Sequence, residues 1–151
     1  MLSPPRAMNT QSALRPELES LLAFWFVQCG ERKFPMRCHL GGSARWQRNL
    51  ASFGVVQYGC LRVYECHSCA QGLTVRLGRS AIGLSTDELP AEIRTDLRAG
   101  FEQAWERRAP HIARARVPKG GRIVRYTDLM LPLSENGKHI DGMLFASYAS
   151  A

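Results

Sequence analysis

The architecture turns on residues 122–149, RIVRYTDLMLPLSENGKHIDGMLFASYA. Residues 122–133 read as one long strand, and Asn136-Gly137 is a strong hairpin signal. Residues 139–149 read as the last strand. Large apolar side chains stand on both of its faces, Ile140 and Leu144 on one and Met143 and Phe145 on the other. A strand apolar on both sides belongs at the centre of its sheet. Just upstream, residues 111–117 alternate Ile112, Ala113, Ala115 and Val117 with His111, Arg114 and Arg116, and Lys119-Gly-Gly121 is the turn that follows. The C-terminal third is therefore a three-strand meander.

Before it comes a helix. Leu89, Ile93, Leu97, Phe101 and Trp105 recur at i+4, a core-facing stripe that must end before Pro110. Ser85-Thr-Asp-Glu88 matches a capping box, and Pro90 fits only a first turn, so one isolated turn at 85–89 precedes the helix. Gly78 to Gly83 is a loop, and 69–77 is a short helix or irregular turn. Residues 53–58 and 61–67 are two strands punctuated by Gly59. A short helix from Ser43 to Leu50 puts Trp46 and Leu50 inward, after a basic extended stretch from Glu31 to Pro35. Residues 14–29 form a helix with Leu14, Leu18, Leu21, Leu22, Trp25 and Cys29 on one face. Phe24, Phe26 and Val27 lie outside that stripe, so the helix needs cover on a second side. Residues 1–13 read as a flexible tail, and 14–151 as a single domain. Runs of strands flanking a run of helices indicate α+β with an antiparallel sheet.

The chain has 151 residues, 45% of them hydrophobic and 22% charged. That composition suits one globular domain with a real core and excludes a disordered chain or a small disulfide scaffold. No apolar run approaches the roughly 20 residues that span a bilayer. The net charge is +7, spread along the chain. Its tightest clusters are Arg32-Lys33 with Arg37, Arg107-Arg108, and Arg114 to Arg125 with Lys119, and they read first as a solvated surface, with the last as a nucleic-acid footprint second. Five cysteines, Cys29, Cys38, Cys60, Cys66 and Cys69, follow a segment with no apolar signal core. They read as reduced thiols in a cytoplasmic protein.

Two strands, a helical crossover and a three-strand meander form the PAS layout, and the chain resembles the short stand-alone bacterial PAS family formerly described as a domain of unknown function. LAFWFVQCGERKFP (Leu22–Pro35) is similar to that family's opening helix and basic stretch. Gly78-Arg-Ser-Ala-Ile-Gly83 is similar to its Gly-Arg-x-x-x-Gly loop. Leu131-Pro-Leu-Ser-Glu-Asn-Gly137, followed by Ile140-Asp141, resembles its hairpin. The family has an Arg and a Gly near the second strand, where this chain reads Tyr64-Glu-Cys-His-Ser-Cys69-Ala70. The resemblance implies a sensory or interaction module of five antiparallel strands with helices on one face and an extra N-terminal helix. It supplies no catalytic residues.

Cys66-His67-Ser68-Cys69 lacks the second ligand pair a zinc site needs, so no metal site is assigned. Structural cysteines and a thiol redox pair at Cys66 and Cys69 remain as readings. His111 and His139 read as surface imidazoles rather than haem ligands, and His39 carries no role. Gly41-Gly42-Ser43 lacks the preceding strand and the Lys of a phosphate loop. Leu97, Phe101, Trp105, Tyr126, Met130 and Met143 are the candidate walls of a pocket for a small apolar ligand, with core packing as the plainer reading. No cofactor is required. Leu22, Phe24, Phe26 and Val27 are the candidate dimer or partner surface. The expectation is a non-enzymatic, cytoplasmic sensory or regulatory module without its own output domain. It would act as a homodimer, through a signalling protein partner or a small-molecule ligand, and not on nucleic acid or membrane. A basic nucleic-acid-associated regulator and a thiol sensor are the alternatives.

Overall fold

The computed structural model describes residues 14–40, 46 and 48–149. The tail expected at 1–13 lies outside them, as does most of the helix expected from Ser43 to Leu50. Within that segment Trp46 is buried, 46, 48 and 49 are in a tight helical turn, and Leu50 already belongs to a strand. The elements run α1 (Pro16–Cys29), a 3-10 turn (Arg37–Leu40), β1 (Leu50–Tyr58), β2 (Leu61–Ser68), α2 (Gln71–Leu77), a 3-10 turn (Thr86–Glu88), α3 (Ala91–Arg107), β3 (His111–Lys119), β4 (Arg122–Leu133) and β5 (Gly142–Ala149). The sheet order is β2-β1-β5-β4-β3 and every neighbouring pair is antiparallel. The apolar strand β5 takes the centre, as its two-sided pattern requires.

Local chemistry sets the turns. The capping box at Ser85 and Glu88 forms, with the Ser85 amide donating to Glu88 Oε1 at 2.9 Å. Gly120 and Gly121 both have positive φ, 55° and 79°, the backbone that a two-residue turn between β3 and β4 demands. The connection from β4 to β5 departs from the expected tight hairpin. Asn136 Oδ1 accepts from the amides of Lys138 at 2.7 Å and His139 at 2.9 Å, and Ser134 Oγ accepts from the Gly137 amide at 2.9 Å. Local side-chain acceptors thus capture the amides that a continued ladder would use. Pairing closes only at Leu133 and Gly142, so β5 starts at Gly142 rather than 139.

The register sorts the side chains onto two faces. Phe53, Tyr64, Cys66, Met130, Met143 and Phe145 share one face, and Phe53 against Phe101, with ring centroids 4.8 Å apart, seats α3 on it. Leu129, Leu131, Leu144 and Ala146 share the other, beneath α1. Helices therefore cover both faces, with the N-terminal helix on the side opposite α2 and α3. Trp25 anchors α1 by donating Nε1–H to the Pro132 carbonyl at 2.9 Å. Arg15 caps the arrangement at the far end, with Nη1 donating to the Ala149 carbonyl at 2.9 Å.

Candidate functional site

On the α3 side the centre is filled with rings. Phe101 sits 4.8 Å from Phe53, 5.0 Å from Tyr64 and 6.1 Å from Phe145. Leu97, Phe101, Met130 and Met143, four of the expected pocket residues, are fully buried in this cluster. Gly100 lets helix and sheet approach, because a Cβ there would collide with Met130 Cε. Trp105 is half-buried at the cluster's edge. Tyr126 is not in the cluster: it packs with Ala115 and Val117 in a second, smaller one. The sequence assigned six residues, three on the helix and three on the strands, to the walls of one pocket, and the structure brings four together and separates Tyr126. Phe53, Tyr64 and Phe145 complete the ring cluster, though none of them was among the expected pocket walls. Their strand alternation was the available signal.

A polar lid closes the β2 end of this face. Arg62 grips Glu102 with its side edge, Nε to Oε2 at 3.1 Å and Nη2 to Oε1 at 2.6 Å, and Tyr64 donates its hydroxyl to Oε2 at 2.6 Å. The Arg62 guanidinium also lies over the Trp105 ring at 3.8 Å. Burial works against the Glu102 carboxylate. The hydrogen bonds from Arg62 and Tyr64 and the charges of Arg62 and Arg98 outweigh it and hold its pKa below the usual value. Burial and the adjacent Glu102 push the Tyr64 hydroxyl upward.

At the β4 end lies a second arginine that sequence reading missed. Arg76 of α2 is wholly buried and donates Nη1–H to both oxygens of Asp128, at 2.9 and 3.0 Å, and to Ser147 Oγ at 3.2 Å. Ser147 in turn donates to Asp128 Oδ1 at 2.7 Å. The guanidinium stacks 4.7 Å from the Tyr126 ring. Burial raises the Asp128 pKa, opposed by Arg76 and Ser147.

On the opposite face, α1 leaves an apolar groove of about 720 Å³ against β3. Leu14, Leu22, Ala23, Phe26 and Ile112 line it, with Glu19 and Arg114 as its charged pair. Of the four expected contact residues, Phe26 and Val27 are 58% and 71% exposed. Phe24 instead packs on Trp46 at 5.0 Å, and Leu22 is half-buried. From Arg114 at the groove, the same face of the β3–β4 hairpin continues to Arg116 and Arg125, which stand directly opposite each other.

The cysteine pair is built into an edge. The Cys66 amide donates to the Leu84 carbonyl and its carbonyl accepts from Gly83, so the Gly78–Gly83 loop covers the side of β2. Burial, with Cys69 nearby, pushes the Cys66 thiol up to about 12. Its Sγ faces the Ser68 carbonyl at 3.3 Å, and Cys69 Sγ meets Thr74 Oγ1 at 3.2 Å. Among the described residues no group of His, Cys, Asp and Glu is arranged to hold a metal. His139 is exposed, and burial beside Arg107 lowers the pKa of half-buried His111. The basic stretch and the Leu-Pro-Leu-Ser loop, distant in sequence, meet through Arg32. Its Nη2 donates to the Ser134 carbonyl at 3.0 Å, while the Ser134 amide donates to the Pro35 carbonyl at 3.1 Å.

No family model and no curated protein matches the chain. Solved structures do. A light-oxygen-voltage domain studied with a flavin analogue overlays 73% of this chain and 82% of its own, at 11% identity and a TM-score of 0.51. The PAS domain of BvgS from Bordetella pertussis covers 68% of this chain and 75% of its own, at 12% identity and a TM-score of 0.47. The PAS domain of a Colwellia psychrerythraea protein covers 74% and 96%, at 18% identity and a TM-score of 0.49. The chain has the PAS-type fold.

Proposed function

We propose that this chain is a non-enzymatic sensory or regulatory PAS-type module that acts by protein contact, with a second copy of itself as the occupant of the α1–β3 groove. The observation that carries this reading is the groove itself, whose apolar lining continues into exposed Phe26 and lies beside exposed Val27. Contiguous exposed apolar surface marks interaction sites. Glu19 and Arg114 line the same groove, so a two-fold contact sets Glu19 of one copy against Arg114 of the other, the self-complementarity that an isologous dimer needs. Free Cys29, Cys60, Cys66 and Cys69 suit a reducing, cytoplasmic setting. Among the described residues no helix is long and apolar enough to cross a membrane.

Sedimentation velocity tests the reading. The expected result is a dimer for the native chain and a folded monomer for Phe26→Glu with Val27→Glu. Phe24 is left intact because it holds Trp46. Exchanging the charges, Glu19→Arg together with Arg114→Glu, should keep the dimer that either change alone weakens. A monomeric native chain, or an unchanged dimer in the double glutamate variant, contradicts the reading.

The exposed Arg114, Arg116 and Arg125 favour one second reading, a nucleic-acid-associated regulator. It requires affinity that falls steeply with salt, by about 0.9 log units per phosphate contact for each log unit of salt. A thiol sensor is supported less well, because a thiol held protonated at neutral pH is a poor nucleophile.

A further inference from the structure

Three cations share one pocket with no carboxylate on its walls. Arg32, Lys33 and Arg108 line an open pocket of about 340 Å³ where α1 and α3 both end, beside Phe26 and Pro110. None of the three forms an ion pair among the described residues. Lys33 and Arg108 are exposed and Arg32 is half-buried, so a ligand can reach them from water.

Two of the cations are held in place. Arg32 donates Nε–H to the Phe34 carbonyl at 3.2 Å, and Nη2–H to the carbonyls of Ser134 at 3.0 Å and Glu135 at 3.3 Å. Arg108 donates Nη2–H to the Lys138 carbonyl, and its guanidinium lies over the Phe34 ring, 5.2 Å from the centroid. Neutral carbonyls fix both guanidinium groups without cancelling their charge. Arg108 also stands where glycine is favoured. It follows α3 with a φ of 55°, and among the described residues no other non-glycine residue has a positive φ. A side chain kept against that backbone cost points to a role for the side chain.

The carbonyl ends of α1 and α3 contribute about half a negative charge each. Against three cations they leave an excess of about two, which matches a phosphate monoester at neutral pH. Guanidinium groups suit phosphate oxygens, and Phe26 and Pro110 offer apolar walls to the rest of such a molecule. The volume is at the small end of ligand sites, about 300 to 1,000 Å³.

We propose that this pocket binds a small organic phosphate, its dianionic group on Arg32, Lys33 and Arg108 and its carbon part against Phe26 and Pro110. The site goes beyond the docking reading and does not rest on it: Phe26 borders both, but the three cations lie outside the groove.

Calorimetry on the full chain at about pH 7.5, where the phosphate is a dianion, tests it. Phenyl phosphate is the probe, benzoate the monoanion and inorganic phosphate the anion without a ring. Phenyl phosphate is expected to bind at least about tenfold more tightly than benzoate, one further charge-assisted hydrogen bond being worth that factor or more. It should also bind more tightly than inorganic phosphate. Arg108→Gly suits the backbone and removes the guanidinium, so it should fold and weaken phenyl phosphate about tenfold or more. Lys33→Gln, at an exposed position, should weaken it as well, and it decides the matter if Arg108→Gly fails to fold. No binding of phenyl phosphate to the native chain up to about 10 mM, a range accessible to so small a ligand, overturns the proposal. So does benzoate or inorganic phosphate binding equally well, or an affinity that survives unchanged in folded Arg108→Gly.

Discussion

Arg62 and Arg76 each meet a carboxylate on the same side of the sheet, with different edges of the guanidinium. Arg62 spends its side edge on Glu102, two N–H groups on two oxygens, with Tyr64 as a further donor. That pair is partly exposed, with side chains 15% and 27% accessible. Arg76 spends only Nη1 on Asp128, at 0% and 2% accessibility, and holds back the edge that Arg62 uses. The comparison separates two roles for one chemistry. The first pair is a closed lid over packed rings. The second carries a buried charge whose coordination is incomplete.

The sharpest way to break this comparison is to delete each arginine in turn. Arg76→Leu leaves Asp128 buried and unpaired and should cost about 3–5 kcal/mol. Arg62→Leu leaves a carboxylate that water can reach and should cost about 1 kcal/mol, with part of that from lost packing over Trp105. Chemical denaturation measures both. Equal costs would erase the distinction between lid and buried pair.

A smaller effect, opposite in sign between the two pairs, is expected from pH. The folded-state pKa of Glu102 lies below its ordinary 4.5. Its contribution is therefore present above 4.5 and lost as pH falls through the folded value. Asp128 is raised above its ordinary 3.8. Its contribution is complete below 3.8 and lost as pH rises through the folded value. Glu102→Gln should flatten the acid limb of the stability profile, and Asp128→Asn should remove a decline that accompanies rising pH. Profiles that shift in the same direction would contradict the assigned environments.

Much of the scaffold was legible. The two-sided apolar pattern of residues 139–149 placed β5 at the centre, and the i+4 stripe from Leu89 to Trp105 identified the helix that carries Phe101. Both signals are periodic and local. The β4–β5 loop was misjudged because Asn136 marks a turn without saying how many amides its side chain will capture. Phe24 and Phe26, two residues apart on one helix, were indistinguishable until Trp46 was seen to cover only the first. The Arg76–Asp128 pair was hidden by a separation of 52 residues. One clue was present: Asp128 is the lone carboxylate in a run from Tyr126 to Leu133 that is buried throughout, and a charge in such a strand requires a partner. Which residue answers it is a matter of topology.

The most direct measurement is a two-dimensional NMR spectrum of the arginine Nε–H groups, recorded on the full chain as it exchanges into deuterium oxide. The account predicts that the Arg62 signal, from a pair that water reaches, is lost first, while the wholly buried Arg76 signal outlasts it. An Arg76 signal that is lost as fast as that of Arg62, or faster, would contradict it.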